Sequence, residues 1–208
     1  MEKDPIRFDV LHPQPLLIVI SGPSGVGKDS VARELMRRDS NLDFAITTTA
    51  REIRENEKEG VDYYFVSTEK FNQMVDAGEF LENSLVYGQL KGVSRKEVQR
   101  KWAEGKDVIL RIDFQGAMKF KALYRDTLMI FLLPTSEAEL YQRLVDRGTE
   151  TKETIELRMA TTREEMQSLG FFDYLVYNPH GKMDHTVQTL EAIIIAEHHR
   201  TVQRKIII

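Results

Sequence analysis

Ten residues constrain this chain more than any others: Ser21-Gly22-Pro23-Ser24-Gly25-Val26-Gly27-Lys28-Asp29-Ser30. They follow a compact apolar run, Leu16 to Ile20, and open into an amphipathic segment carrying Val31, Ala32, Leu35 and Met36. A strand, a glycine-rich turn and a helix in that order are the structural context of a phosphate-cradling P-loop. Gly22 and Gly27 let the backbone fold into a concave nest with its N–H groups turned inward, and the helix N-terminus adds positive potential there. Lys28 supplies an ammonium that neutralises charge developing between β- and γ-phosphates. The stretch therefore reads as a nucleoside-triphosphate site, against the plainer reading of a structural glycine turn. One position departs from the pattern: Asp29 stands where a Ser or Thr hydroxyl ordinarily touches magnesium.

Length and charge narrow what can surround this loop. A chain of 208 residues with 41% hydrophobic content can bury one substantial core. Its 29 basic and 33 acidic residues leave a net charge of −4, so no global field recruits nucleic acid. With no Cys there are no disulfides or thiolate metal sites. The five His show no metal-ligand spacing, and the adjacent His198 and His199 would diverge on a helix. No apolar run approaches the ~20 residues of a membrane span. Met1 to Pro5 is acidic and proline-interrupted, unlike a signal or transit peptide. The expected compartment is the cytoplasm, or an organelle interior if a targeting segment is absent from this chain.

Residues 1–15 read as a loose lead-in. Strands are expected at 16–20, 44–47, 63–66, 108–113, 127–133 and 172–177, with 80–87 extended. Helices are expected after the P-loop and at 68–77, 94–104, 116–123, 136–146, 151–169 and 184–204. Strands alternating with helices predict an α/β fold, a parallel sheet covered on both faces, with ligand at the carboxyl ends of the strands. The tail from Arg204 to Ile208 is expected to be a helix end packing back on the core. Val108-Ile109-Leu110-Arg111-Ile112-Asp113 is an apolar strand ending in Asp, the usual position of a carboxylate that organises magnesium.

Between Thr47 and Val93 the parallel pattern breaks into short extended pieces, which suggests a small lobe. It carries Arg51, Arg54, Tyr63, Glu82 and Tyr87. Two Arg three residues apart beside a Tyr could fork onto a monophosphate. A carboxylate such as Glu82 can accept two parallel N–H bonds, which the N1–H and N2 amino edge of guanine offers and adenine does not. Ordinary solvated surface charge is the competing reading.

Ser21 to Lys28, Thr47-Thr-Thr-Ala-Arg51-Glu-Ile-Arg54, Gly60-Val-Asp-Tyr63-Tyr-Phe-Val-Ser67, Glu79-Phe-Leu-Glu82, Ile112-Asp113-Phe-Gln-Gly-Ala117 and Arg147-Gly-Thr-Glu-Thr151 together resemble guanylate kinase over roughly residues 16–200. The Lys28-Asp29 pair, residues 85–92 and Leu110-Arg-Ile-Asp113 look most like the plant organellar type. The resemblance implies a P-loop three-layer α/β/α core (16–46, 94–140 and 165–208), a GMP-binding lobe (47–93) and a helical lid (141–164). It implies magnesium-dependent transfer from ATP to GMP. Residue by residue, Arg51, Arg54 and Tyr63 match the binders of the GMP phosphate, and Thr47 and Glu82 the guanine readers. Tyr87, Ser94, Gln115 and Gly116 fall on the same GMP side. Asp113 matches the carboxylate near guanosine and magnesium, Arg143, Arg147 and Arg158 the lid arginines that close on the transferring phosphates, and Asn178 an Asn near the adenine. Lys28, Arg51, Asp113, Arg147 and Arg158 form the implied catalytic set, with Asp29 and Asp113 as candidate magnesium contacts.

Three positions depart from the family: Lys91 where a Tyr usually touches the GMP phosphate, Val93 where a hydroxyl usually meets guanine, and Arg111 where an acid is usual. If Arg111 and Asp113 share one strand face, Arg111 should pair with Asp29 or lie near the transferring phosphate. Two other functions compete. A ribosyl-bisphosphate phosphokinase uses the same scaffold but has no base to read, and a phosphopeptide-binding guanylate-kinase-like module typically degrades the P-loop and lid that are intact here.

Overall fold

A computed structural model describes residues 12–55, 57–86, 88–148, 151–206 and 208. Most of the lead-in, Tyr87, Thr149, Glu150 and Ile207 lie outside the described residues.

Five strands form a parallel sheet in the order β2-β7-β1-β8-β9: β1 (Leu17–Ser21), β2 (Leu42–Phe44), β7 (Asp107–Arg111), β8 (Leu128–Leu133) and β9 (Tyr174–Tyr177). The three central strands are near-continuous apolar runs because both of their faces are covered. Alternate residues of β1 serve the two faces. Ile18 and Ile20 join Val31 and Leu35 of α1 (Lys28–Arg38) and Val187, Leu190 and Ile194 of α7 (Met183–His198). Leu17 and Val19 join Val98 of α3 (Arg95–Ala103) and Ala117 and Phe120 of α4 (Phe114–Leu123).

A second, four-stranded mixed sheet has the order β4-β3-β6-β5: β3 (Thr47–Thr49), β4 (Tyr63–Phe65), β5 (Phe80–Val86) and β6 (Gln89–Ser94). Phe71 of α2 (Thr68–Asp76) packs on Phe80, with ring centroids 4.7 Å apart. Leu81 and Val93 of this sheet enter the same apolar cluster as Leu17, Val19 and Ile112, so the two sheets share a seam. Helices α5 (Glu137–Asp146) and α6 (Lys152–Glu165) keep a small cluster of their own, Leu140, Leu144, Ile155 and Met159.

Four expectations change. The strand expected over 44–47 is divided between the sheets: Phe44 ends β2 beneath α1, and Thr47 begins β3 against β6. Strand β7 stops at Arg111, and Asp113 instead caps α4, accepting from Gly116 N at 3.1 Å. Helix α6 ends at Glu165, before a 3-10 turn at Leu169–Phe171. Helix α7 ends at His198, and the tail packs back without helix, Ile206 and Ile208 lying on the cluster of Leu17, Val19 and Phe120. Arg204 fixes that tail, donating to Glu197 Oε2 at 2.8 Å.

Candidate active site

A cleft of about 630 Å3 opens where the carboxyl ends of β1 and β7, the second sheet and the α5–α6 pair meet. Its floor is the P-loop. Gly22 and Gly27 hold φ of 145° and 99°, and a Cβ at either would fall 2.6 Å from the Leu132 carbonyl or 2.7 Å from Asn178 Nδ2. Both the backbone conformation and the space demand glycine. Lys28 curls back over the loop, donating from Nζ to the Gly22 carbonyl at 2.6 Å and the Pro23 carbonyl at 3.0 Å. Burial pulls its ammonium down to about 8, against the attraction of Asp29.

Beside Lys28, the Asp29 carboxylate accepts from Arg111 Nη1. Desolvation works against ionisation of Asp29, but the adjacent Arg111 and Lys28 charges hold it below its usual range. Arg111 also donates to the Asp62 carbonyl at 3.2 Å and lies over the Phe44 ring, 4.0 Å from its centroid. Arg111 takes the first of its two expected places, beside Asp29, though not by shared strand alternation, since Asp113 is outside the strand.

The second sheet supplies the opposite wall. Thr47, Tyr63, Glu82, Ser84 and Lys91 front the cleft from its four strands, with Arg51 and Arg54 from the loop after β3. Glu82 is 8% exposed and its Oε1 has no hydrogen-bond partner. Burial, reinforced by the nearby Asp113 charge, pushes its carboxyl up to about 7. Gly116 lies directly behind it, where a Cβ would come within 2.5 Å of Glu82 Oε1. Asp113 Oδ2 accepts from Ser84 Oγ at 2.9 Å. Burial also holds the Lys91 ammonium below its ordinary range, partly offset by Asp113 and Asp29. Arg51 forks onto Glu57, with Nη1 2.6 Å from Oε2, and lies 4.9 Å from the Tyr63 ring centroid.

The α5–α6 pair contributes Arg143, Arg147 and Arg158. Arg143 donates to the Val26 carbonyl at 3.0 Å, the Asn178 carbonyl at 2.6 Å and Glu139, which makes it a strut between α5 and the P-loop. Arg158 donates to Ser24 Oγ on the loop itself. Arg147 caps the C-terminal end of α5 and is exposed toward the cleft.

Most of the expected site residues border this cleft: Gly22, Ser24, Gly25, Gly27, Lys28, Asp29, Ser30, Thr47, Arg51, Arg54, Tyr63, Glu82, Lys91, Val93, Asp113, Gln115, Arg143, Arg147 and Arg158. Val93 barely does so, 1% exposed within the shared apolar seam behind the second sheet's wall. Five others are not in the lining. The Val26 side chain is core, and Pro23 turns the loop by accepting from Val26 N at 3.3 Å. Ser94 caps α3, accepting from Glu97 N at 3.4 Å, and Gly116 backs Glu82. Asn178 is buried beneath the loop, its Nδ2 donating to the Val26 carbonyl at 2.7 Å and its Oδ1 accepting from Thr186 Oγ1 at 2.9 Å, so its amide is already committed. Tyr87 lies outside the described residues.

Sequence reasoning passed over Glu165, the last residue of α6. It lines the cleft with Oε2 unpartnered, and burial pushes its carboxyl up to about 7 despite the Lys28 charge. An acid in the charged run Arg163-Glu164-Glu165 reads as solvated surface, and nothing in the spacing marks it. Ser84, a lone hydroxyl within the extended run 80–87, carries no local mark either.

Among the described residues no group of three or more His, Asp or Glu could hold a metal ion. Magnesium held chiefly by substrate phosphates needs only one or two carboxylates, with water completing its shell. The oxygen donors of Asp29 and Asp113, both fronting the cleft, fit that requirement. No described helix is long and apolar enough to cross a membrane.

Comparison with known proteins agrees with this architecture. The guanylate kinase family model matches residues 14–197. The chain is 43% identical over 195 residues to guanylate kinase 2, chloroplastic/mitochondrial, of Oryza sativa subsp. japonica, covering 91% of this chain and 68% of that protein. It is 40% identical over 190 residues to the guanylate kinase of Xylella fastidiosa, covering 91% and 92%. Among solved structures, the guanylate kinase from Anaplasma phagocytophilum superposes with a TM-score of 0.76 at 31% identity, covering 92% of this chain and 90% of that one. With a cleft of this construction and a match that spans nearly the whole sequence, the chain belongs to the guanylate kinase family.

Proposed function

We propose that this chain transfers the γ-phosphoryl group of ATP to GMP, giving ADP and GDP. The observation that carries the choice of acceptor is Glu82: a buried carboxylate with one unpartnered oxygen, opposite the P-loop, held against Gly116. An acceptor without a base would leave that oxygen unpaired, an outcome that costs free energy. The N1–H and N2 amino edge of guanine would pair it, with Thr47 as a second contact. Phosphopeptide binding gives the complete P-loop nothing to hold.

The division of labour follows from position. The P-loop backbone and Lys28 hold the donor phosphates, and Lys28 must exchange its two loop carbonyls for them. Arg51, Arg54, Tyr63 and Lys91 take the GMP phosphate, Arg51 giving up part of its fork onto Glu57. Arg147 and Arg158 meet charge that develops on the transferring group, which positioned donors stabilise in a dry site. Magnesium bound with ATP would supply further neutralisation of β- and γ-oxygens, held near Asp29 and Asp113 directly or through water. The second sheet acts as acceptor lobe and the α5–α6 pair as lid, and their approach would exclude water.

A coupled ADP-release assay across GMP, AMP, UMP, CMP and ribose 1,5-bisphosphate tests the reading. Turnover with GMP alone among them is expected. Equal turnover with AMP would remove Glu82 as the base reader, and preference for the bisphosphate would replace the function.

A further inference from the structure

A P-loop ordinarily places a neutral hydroxyl after its lysine. A carboxylate there sets negative charge beside a site for a polyanion, an unfavourable neighbour unless it is answered. In this chain the answer comes from another element. Arg111, at the end of β7, has a side chain only 8% exposed. Its Nη1 donates to Asp29 Oδ1, and its Nη2 donates to the Asp62 carbonyl at 3.2 Å. The guanidinium carbon lies 4.0 Å from the Phe44 ring centroid and 5.6 Å from that of Tyr63. Asp62 is itself held, its side chain accepting from Arg33 of α1 and from Lys58 N at 2.9 Å. A single planar fork therefore touches both the start of the P-loop helix and the segment that leads into the acceptor sheet.

We propose that Arg111 is a positioning residue for phosphoryl transfer: it neutralises Asp29 beside the triphosphate and pins the acceptor sheet to the P-loop helix through Asp62. The proposal rests on the reading of the cleft as an ATP and GMP site. Its two halves separate by ligand. Without Arg111, Asp29 is an uncompensated anion that repels ATP, and removing Asp29 as well relieves the repulsion. The Asp62 contact is not restored by any change at position 29, so the effect on GMP persists. Lysine at 111 can still meet Asp29 but lacks the fork that reaches Asp62 at the same time.

The test uses the full chain with Arg111→Met, Arg111→Lys, Asp29→Ser and Asp29→Ser/Arg111→Met. ATP affinity is measured by calorimetry in EDTA and again with magnesium, and KM for GMP by coupled assay at saturating ATP. Arg111→Met is expected to weaken ATP about tenfold in EDTA, where the freed Asp29 charge faces the polyanion, and less with magnesium, which answers that charge. The double variant is expected to return to within about threefold of wild type, non-additivity that independent sites do not show. KM for GMP should stay raised about fivefold in both, the scale of one ordinary hydrogen bond lost. A double variant that binds ATP no better than Arg111→Met, or a KM for GMP unchanged in both, overturns the proposal. Should Arg111→Met fail to fold, Arg111→Lys decides. Near-normal ATP affinity with raised KM for GMP supports the proposal, and wild-type values for both ligands overturn it. Failure of the wild-type chain to use GMP would sink the reading of the site instead, and the same assay reports it.

Discussion

The two sheets of this protein are built to opposite specifications. Strands β1 and β8 are fully buried and apolar except for Ser21, whereas the second sheet presents Thr47, Tyr63, Glu82, Ser84 and Lys91 to a cleft. One buries surface that water would reject, the dominant favourable contribution to folding. The other holds ionisable groups in places where burial disfavours their charge, an arrangement that weakens the ligand-free fold and waits for a partner. Stability and recognition are thus assigned to different sheets that meet along the seam of Leu81, Val93 and Ile112.

That division can be broken from either side. The largest effect should come from the loop between the sheets: Lys28→Met is expected to lower kcat by about 10^3 or more, because it removes a preorganised charge from the transferring phosphates. Its melting temperature should change little, because loss of the two bonds to loop carbonyls is offset by relief of a desolvated ammonium. A parallel loss of stability would show that Lys28 holds the loop rather than the ligand. In the core, Phe131→Ala, at a residue with no exposure, should cost about 3–5 kcal/mol in denaturant unfolding. Leu85→Ala on the second sheet, 64% exposed, should change stability by less than ~0.5 kcal/mol.

Glu82→Gln sharpens the contrast, for it should raise KM for GMP about 100-fold by leaving guanine donors poorly matched, with KM for ATP nearly unchanged. Equal changes in the two would remove Glu82 from the base. The same variant carries a stability signature with a definite sign. Burial pushes the folded carboxyl up to about 7 from the ordinary 4.5 of the unfolded chain, so between these pH values the folded state binds the extra proton. Wild-type stability therefore loses this contribution as pH rises through that window, by on the order of 3 kcal/mol in total, and Glu82→Gln should flatten the profile. Lys91→Met should raise KM for GMP by about tenfold at low salt and less at high salt, if the lysine faces the phosphate where ions reach it. The smallest signal is a fraction of a proton. Guanine donors favour ionised Glu82, so GMP binding near pH 7 should release protons, measurable by calorimetry in buffers of different ionisation enthalpy. Binding heats that do not depend on the buffer would contradict this.

How much of this was legible followed the same division. The parallel sheet could be read because β1, β7 and β8 are apolar runs set among amphipathic helices. Of the second sheet, β4 and β5 were legible as extended runs, but β3 and β6 were not, because Thr47–Thr49 and Gln89–Ser94 alternate nothing and pair only through tertiary contact. The P-loop was visible because its glycines and lysine are local. Glu165 and Ser84 were invisible because their meaning comes from what faces them across the cleft. The expectation of Asn178 near the adenine comes from resemblance alone, and the bracing of the loop by its buried amide is something spacing does not encode.

That brace has a consequence for the newborn chain. The nest at residues 21–30 is encoded first, yet Gly27 rests on Asn178, which bonds a carbonyl 152 positions earlier and is held in turn by Thr186 of α7. A chain emerging from the ribosome carries the complete phosphate-binding signature long before anything supports it from below. Ability to grip a triphosphate should therefore arrive late in synthesis, when β9 and α7 have emerged and docked, and not when the signature itself is made.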